Sequence, residues 1–322
     1  MLLEGLSGSD KSGSDADGSV PAAITDTGCE RDLNEDRYAV IECASGVAWI
    51  VCDGMGGVAG GELAAQLALD AMRRDLESLQ PRPPDVALKS SILEANRIIV
   101  LRRQNPAFSG MGTTVVAGLF NGPELSIAHA GDSRAYLVRD CAIQQLTVDH
   151  TYVQDLVDSG KIAPDEALSH PQAHVLTRCI GSEPALEVDV QKFWIWDAYD
   201  GEPTDCLLLC TDGLYSLVTE GEMATIISEK PPQRVCIELV ELAKSRGGYD
   251  NITCAVIPLG GQMRSEPPPG YQSTLPQYPD SKQKSQALRS GQGVLTKVVI
   301  VLMLCVLTVL VTGVLFAALK LA

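Results

Sequence analysis

Three apolar runs follow one another with almost nothing between them: Thr113 to Phe120, Glu124 to Ala130 and Ser133 to Arg139. Asn121 and Gly122 separate the first pair, and Gly131 and Asp132 the second. Such residues are what tight reversals require, so the pattern predicts successive hairpins, a meander of antiparallel strands. Val47 to Cys52, Asp205 to Cys210 and Asn251 to Pro258 are further apolar runs bounded by turn residues, and each predicts a strand. Leu88, Ile92, Ala95 and Ile99 recur at helical spacing, which predicts an amphipathic helix over Asp85 to Arg103. Gly61 to Leu79 carries a similar stripe. Strands and helices in one stretch, Ile24 to Leu259, bound the class to mixed α and β.

Charge and cysteine usage narrow the partners. The formal net charge of −16 repels a phosphate backbone, so no nucleic-acid partner is expected. Ten cysteines are scattered, most of them inside apolar runs such as Cys206 and Cys210, and no C-x-x-C occurs. Reduced thiols in a cytosolic fold are the expectation. Residues 1–23 lack the basic start and apolar stretch of a signal peptide and read as a disordered arm. Residues 260–297 are rich in Pro, Gly, Ser and Gln and read as a flexible linker. Val298 to Leu319 is uncharged and apolar, long enough for a helix across a hydrocarbon core of about 30 Å. Lys282, Lys284, Arg289 and Lys297 precede it and only Lys320 follows, so a tail-anchored protein with its folded part in the cytoplasm is expected.

Acids stand beside glycines where the apolar runs end: Asp53 in IVCDGMGG, Asp212 in LLLCTDGL and Asp132 in AHAGDSR. Any one of them is explained by turn geometry alone. Glu35 and Asp36 in RDLNED and Asp250 in GGYDN add further acids beside turn residues. Carboxylates that converge repel one another unless cations neutralise them, which points to a site for several metal ions. Oxygen-only ligands select Mg²⁺ or Mn²⁺ over zinc. Two such ions can activate a bridging water for in-line attack on phosphorus, with no protein nucleophile. The absences agree: no HExxH, no cysteine with an arginine six residues on, and no GxxxxGK[ST]. The rival is a dinucleotide binder, because GMGGVA from Gly54 to Ala59 satisfies GxGxxG/A. That reading requires a second strand ending in an acid, whereas Pro81 to Pro84 leads into another helix.

TDTGCERDLNEDRYAV, VCDGMGG, GMGTTV, AHAGDSRAYLV, LTVDHT, LLLCTDGL and GGYDNIT occur in this order. Together they resemble the type 2C, metal-dependent family of protein serine/threonine phosphatases, above all its bacterial members, over nearly all of Ile24 to Leu259. The resemblance implies an αββα sandwich, two antiparallel sheets flanked by helices, with metals at one edge between the sheets. It implies Asp53 as the bridge between two Mn²⁺ or Mg²⁺ ions, the Gly54 carbonyl as a ligand of one, and Asp212 and Asp250 on the other. Arg31 matches the family's phosphate-binding arginine, whose forked guanidinium suits phosphate oxygens. Glu35 and Asp36 match acids that hold or orient metal-bound waters, Asp132 the ligand of a third, weaker ion, and Asn251 a supporting group.

Met55 stands where eukaryotic relatives carry a histidine proposed as general acid, and methionine cannot donate a proton. His150, His170 and His174, before Arg178, fall in the family's flap and read as surface or capping residues. The implied activity is hydrolysis of phosphoserine and phosphothreonine in proteins that a Ser/Thr kinase has phosphorylated. A phosphatase for small molecules and an inactive phosphoprotein-binding scaffold are the alternatives; the scaffold predicts a missing acid, and none is missing.

Overall fold

A computed structural model of the chain describes residues 20–271, apart from 57–59, 79, 168 and 198–203. In chain order the first half contains β1 (Ala22–Asp26), β2 (Arg37–Cys43), β3 (Gly46–Cys52), β4 (Gly54–Met55), α1 (Gly60–Leu76) and α2 (Pro84–Arg102). Next come β5 (Gly112–Thr113), β6 (Val115–Asn121), β7 (Glu124–Ala130), β8 (Arg134–Arg139), β9 (Ala142–Gln145) and α3 (Tyr152–Asp158). The remainder is β10 (Asp189–Asp197), β11 (Cys206–Cys210), α4 (Asp212–Tyr215), α5 (Glu220–Glu229), α6 (Pro232–Ser245), β12 (Ile252–Pro258) and β13 (Gly261–Arg264).

The strands form two antiparallel sheets, ordered β1-β12-β11-β8-β9 and β13-β10-β7-β6-β3-β2, with β4 and β5 as a separate short pair. Period-two alternation makes the layers. In β3, Ala48, Ile50 and Cys52 face a core shared with α1 and α2, while Trp49 and Val51 face the other sheet. In β12, Ile252, Cys254 and Val256 turn toward α5 and α6, while Ala255 and Ile257 meet Val51, Val116 and Ile127 between the sheets. Both sheets are therefore buried on both faces over much of their area, giving four layers: helices, sheet, sheet, helices. The antiparallel neighbours of β3, which are β2 and β6, remove the dinucleotide-binding reading, since that unit needs a parallel sheet.

One expectation is corrected. Asn121 and Gly122 do close a hairpin between β6 and β7, but β7 and β8 are not partners. Both edges of β7 are taken, by β6 and β10, so the chain leaves Ala130 through Gly131, at φ 119°, and enters the other sheet as β8 beside β11. Gly131 and Asp132 thus form a crossover between the sheets, which puts Asp132 at their common rim.

The fold also outruns its expected end at Leu259. Residues 261–264, assigned from composition to the linker, pair with β10 from Trp194 to Asp197, and Met263 is buried between the sheets. The described cysteines are free thiols. Among the described residues no helix is long and apolar enough to cross a membrane. Val298 to Leu319, residues 272–297 and most of the N-terminal arm lie outside the described residues.

Candidate active site

Every acid singled out in the sequence leaves a sheet at the same end. Glu35 and Asp36 close the loop between β1 and β2, Asp53 ends β3, Asp132 lies in the crossover, Asp212 opens α4 after β11, and Asp250 precedes β12. A cleft of about 540 Å³ opens between them, lined by Arg31, Glu35, Asp53, Gly54, Asp132, Asp212, Asp250 and Asn251 among others. Asp36 lies beneath this floor, 1% exposed. The loops are tied down by hydrogen bonds rather than by sheet. Asn251 accepts from the Glu35 amide at 2.7 Å and donates to the Thr27 and Leu33 carbonyls at 2.9 and 3.0 Å, so one side chain holds the Arg31–Glu35 segment. The Asp53 amide donates to Thr114 Oγ1 at 3.0 Å, and Thr114 shares a hydroxyl contact of 2.7 Å with Ser133. Glu35 Oε1 accepts from the Gly61 amide, which fixes this carboxylate at the start of α1.

The electrostatics of this arrangement are costly for the protein alone. Burial, then the neighbouring Asp36, Asp212, Asp132 and Asp250, pushes Asp53 well above the usual carboxylate range. Burial pushes Asp36 up to about 7, against the hydroxyls of Thr253 and Thr211, which donate to its Oδ2 at 2.7 and 2.9 Å. Asp132 is pushed up to about 8 by burial and by Asp212 and Asp149. Asp36 Oδ1 and Asp212 Oδ1 are buried without a hydrogen-bond partner in the protein. Buried carboxylate oxygens without partners are rare because they forfeit solvation without return. Cations that accept only oxygen ligands fit them, so the donor set present matches the hard ions expected from the sequence.

Arg31 reaches the mouth of the cleft, its guanidinium 2.7 Å from Asp250 Oδ2 and half exposed. Met55 also lines the cleft and brings no proton donor to it. The histidines divide. His170 accepts from the Gln172 amide at 3.1 Å, a local capping contact as expected. His174 lines the cleft with Nδ1 3.5 Å from Asp212 Oδ2, and the Asp212 carboxylate raises its pKa.

His150 is not the surface residue the sequence suggested. It is 6% exposed, its ring is stacked on His129 and accepts from the Gly131 amide at 3.2 Å, and its Nε2 lies 3.3 Å from Asp189. Burial lowers the pKa of both histidines, so neutral rings brace the crossover that carries Asp132. Thr114, Thr211, Thr253 and Tyr215, whose hydroxyl donates to the Asp132 carbonyl at 3.0 Å, were missed. Their only sequence signal is position: Thr211 adjoins Asp212, and Thr253 follows Asp250 by three residues.

A sandwich of two antiparallel sheets between helices, with an acid-lined cleft at the shared rim, is the architecture of the metal-dependent protein phosphatases. The family model described as protein phosphatase 2C matches residues 30–230. The serine/threonine phosphatase stp of Listeria welshimeri is 36% identical over 242 residues, which cover 72% of this chain and 93% of the relative. The crystal structure of the Mycobacterium tuberculosis serine/threonine phosphatase PstP/Ppp superposes with a TM-score of 0.66 at 34% identity, covering 74% of this chain and 97% of that one. A structure of the PstP catalytic domain in complex with two manganese ions has a TM-score of 0.62 at 33% identity, covering 74% and 96%. The chain belongs to the protein phosphatase 2C family, and it is a protein phosphatase.

Proposed function

We propose that this chain hydrolyses phosphoserine and phosphothreonine in proteins, using Mn²⁺ or Mg²⁺ held by Asp53, the Gly54 carbonyl, Asp212 and Asp250. The observation that carries this reading is the cleft of converging acids with two buried carboxylate oxygens, on Asp36 and Asp212, that nothing in the protein satisfies. When bound, the ions supply an activated water and neutralise phosphate charge. The chain's own residues do the rest. Arg31, at the cleft mouth, presents a forked donor to the phosphate oxygens and can exchange Asp250 for them. Asp36, with Oδ2 held by two threonine hydroxyls, points its free Oδ1 as a fixed acceptor that orients water. Glu35, pinned by the Gly61 amide, acts in the same way at the lining of the cleft. Asp132, in the crossover, is assigned a third and weaker ion.

The test is turnover of a phosphothreonine peptide with added Mn²⁺, with chelator, and in Asp53→Asn and Asp212→Asn. Loss of turnover in the last three, with folding retained, is expected. Full activity in chelator refutes the metal assignment, and wild-type rates in either variant refute that ligand. A divalent ion that raises the melting temperature of the wild type more than that of Asp212→Asn supports the same ligand without relying on activity.

For the organisation of the chain we propose a catalytic domain over residues 22–271, since Ala22 and Ala23, read from sequence as part of the arm, pair with Val256 and Ala255 in the sheet, then a tether to a membrane-spanning helix at Val298 to Leu319. The uninterrupted apolar run and the basic residues before it support this, with the catalytic side cytoplasmic. Full-length protein in cell membranes should resist salt extraction and yield to detergent; release by salt alone refutes the span.

A further inference from the structure

A second cleft, of about 490 Å³, adjoins the first across a shared wall of Arg31, His174, Asp212 and Asp250. Its far side is different in kind: Leu217 and Tyr249 supply apolar surface there. Tyr249 is 57% exposed, unusual for a large aromatic that nothing in the catalytic chemistry uses. Its ring packs near the backbone just before it. Gly247 and Gly248 have φ of 122° and 54°, and a Cβ on Gly247 would stand 2.3 Å from Cε1 and Cζ of Tyr249. The tip of the ring therefore sits close over Gly247, in space that a side chain there would contest. Leu217 beside it is anchored through its backbone, because Arg246 donates to the Leu217 carbonyl at 2.8 Å and pairs with Glu222 at 2.6 Å.

We propose that this cleft is a substrate subsite that receives an apolar or aromatic residue one or two positions from the phosphorylated Ser or Thr, with Tyr249 as its platform. The proposal rests on the protein phosphatase reading. It follows from continuity, since a phosphate beside Arg31 in the first cleft places the adjoining peptide residue across the shared wall. It follows also from chemistry. An exposed aromatic ring with few rotatable bonds gives contact area with little ordering of its own, and Asp212 and Asp250 in the shared wall oppose an acidic neighbour.

The experiment compares kcat/KM for phosphothreonine peptides with glycine on both sides, and with a phenylalanine, a leucine or a glutamate placed one or two positions before or after, together with phenyl phosphate. Wild type should favour the best apolar-flanked peptide over the glycine-flanked one by about tenfold, mostly through KM. Tyr249→Ala should bring that ratio to within about twofold of unity, and Tyr249→Phe should keep it, because the ring and not the hydroxyl makes the contact. No preference in wild type, or the same ratio in Tyr249→Ala as in wild type, overturns the subsite while leaving the phosphatase reading intact. Turnover of phenyl phosphate without turnover of any phosphopeptide overturns the phosphatase reading and the subsite with it.

Discussion

Ending the chain after Gly260, where composition alone places the linker, should weaken the catalytic domain, whereas ending it after Tyr271 should not. The shorter chain loses β13, which covers the edge of β10 from Trp194 to Asp197. It also loses Met263, 7% exposed between the sheets, worth about 1.5–3 kcal/mol in buried apolar surface. Asp205 has a fully buried side chain whose Oδ2 accepts from the Met263 amide as well as from Arg139. Losing the amide costs a charge-assisted hydrogen bond of about 1.5–3 kcal/mol. The Asp205 amide loses the Gly261 carbonyl too. The sum, roughly 3–6 kcal/mol, is a large part of the 5–15 kcal/mol that holds a typical domain together. At about 2–4 °C per kcal/mol for a domain of this size, residues 20–260 should melt about 6–24 °C below residues 20–271. Thermal unfolding of the two fragments with Mn²⁺ present, alongside phosphopeptide turnover, reads this directly. Melting temperatures within about 2 °C of each other would refute the structural role of β13.

Two further outcomes concern the acids. Asp132→Ala should cut turnover strongly on phosphopeptides and less on an aryl phosphate, since an alkoxide leaving group needs a proton that a phenolate does not; equal loss on both substrates would instead make Asp132 a support of the fold or of the central metal pair. In metal-free protein, Asp132 at about 8 and Asp53, also raised well above the usual carboxylate range, bind their protons more tightly folded than unfolded, so their stability contribution is present at low pH and is lost as pH rises through the raised values. Burial lowers His129 and His150, which keeps their titration out of this window. Raising the pH from 7 to 9 in chelator should therefore cost on the order of 1 kcal/mol, Mn²⁺ should restore it, and Asp132→Asn should flatten the fall. A metal-free melting temperature independent of pH in that window would show that these acids do not carry the burden assigned to them.

Local pattern and motif were legible in the sequence, and pairing at a distance was not. The apolar runs that became β3, β6, β7, β8, β11 and β12, and the stripes that became α1 and α2, announce themselves by period alone. Two-residue spacers at Asn121 and at Gly131 look alike, yet one closes a hairpin and the other changes sheets. What separates them is whether the edge of β7 is free, and that depends on β10, sixty residues away and itself unmarked because its apolar and polar residues mix. The same limit explains Gly261–Arg264, which has no strong strand signal of its own and is fixed by the edge it completes. At the site the acids and Arg31 were legible because each stands in a distinctive short motif. The threonines around Asp36 and the buried His150 were not, since a hydroxyl or an imidazole shows its partner only once three separate loops have met.

Asp36 shows why the meeting point of those loops is built this way. A carboxylate 1% exposed would ordinarily take up a proton and become a neutral, satisfied group. Thr211, just after β11, and Thr253, in the neighbouring β12, oppose that outcome by donating to one oxygen, while Asp36 itself leads into β2 of the other sheet. The result is an acid whose ionised form is half supported: one oxygen is saturated by the fold, and the other has no partner in the protein. A fully supported carboxylate would have no directional demand, and an unsupported one would be protonated at neutral pH. Holding it between the two keeps one directional acceptor at the rim, while the hydrophobic layers on either side supply the stability that the acid cluster removes.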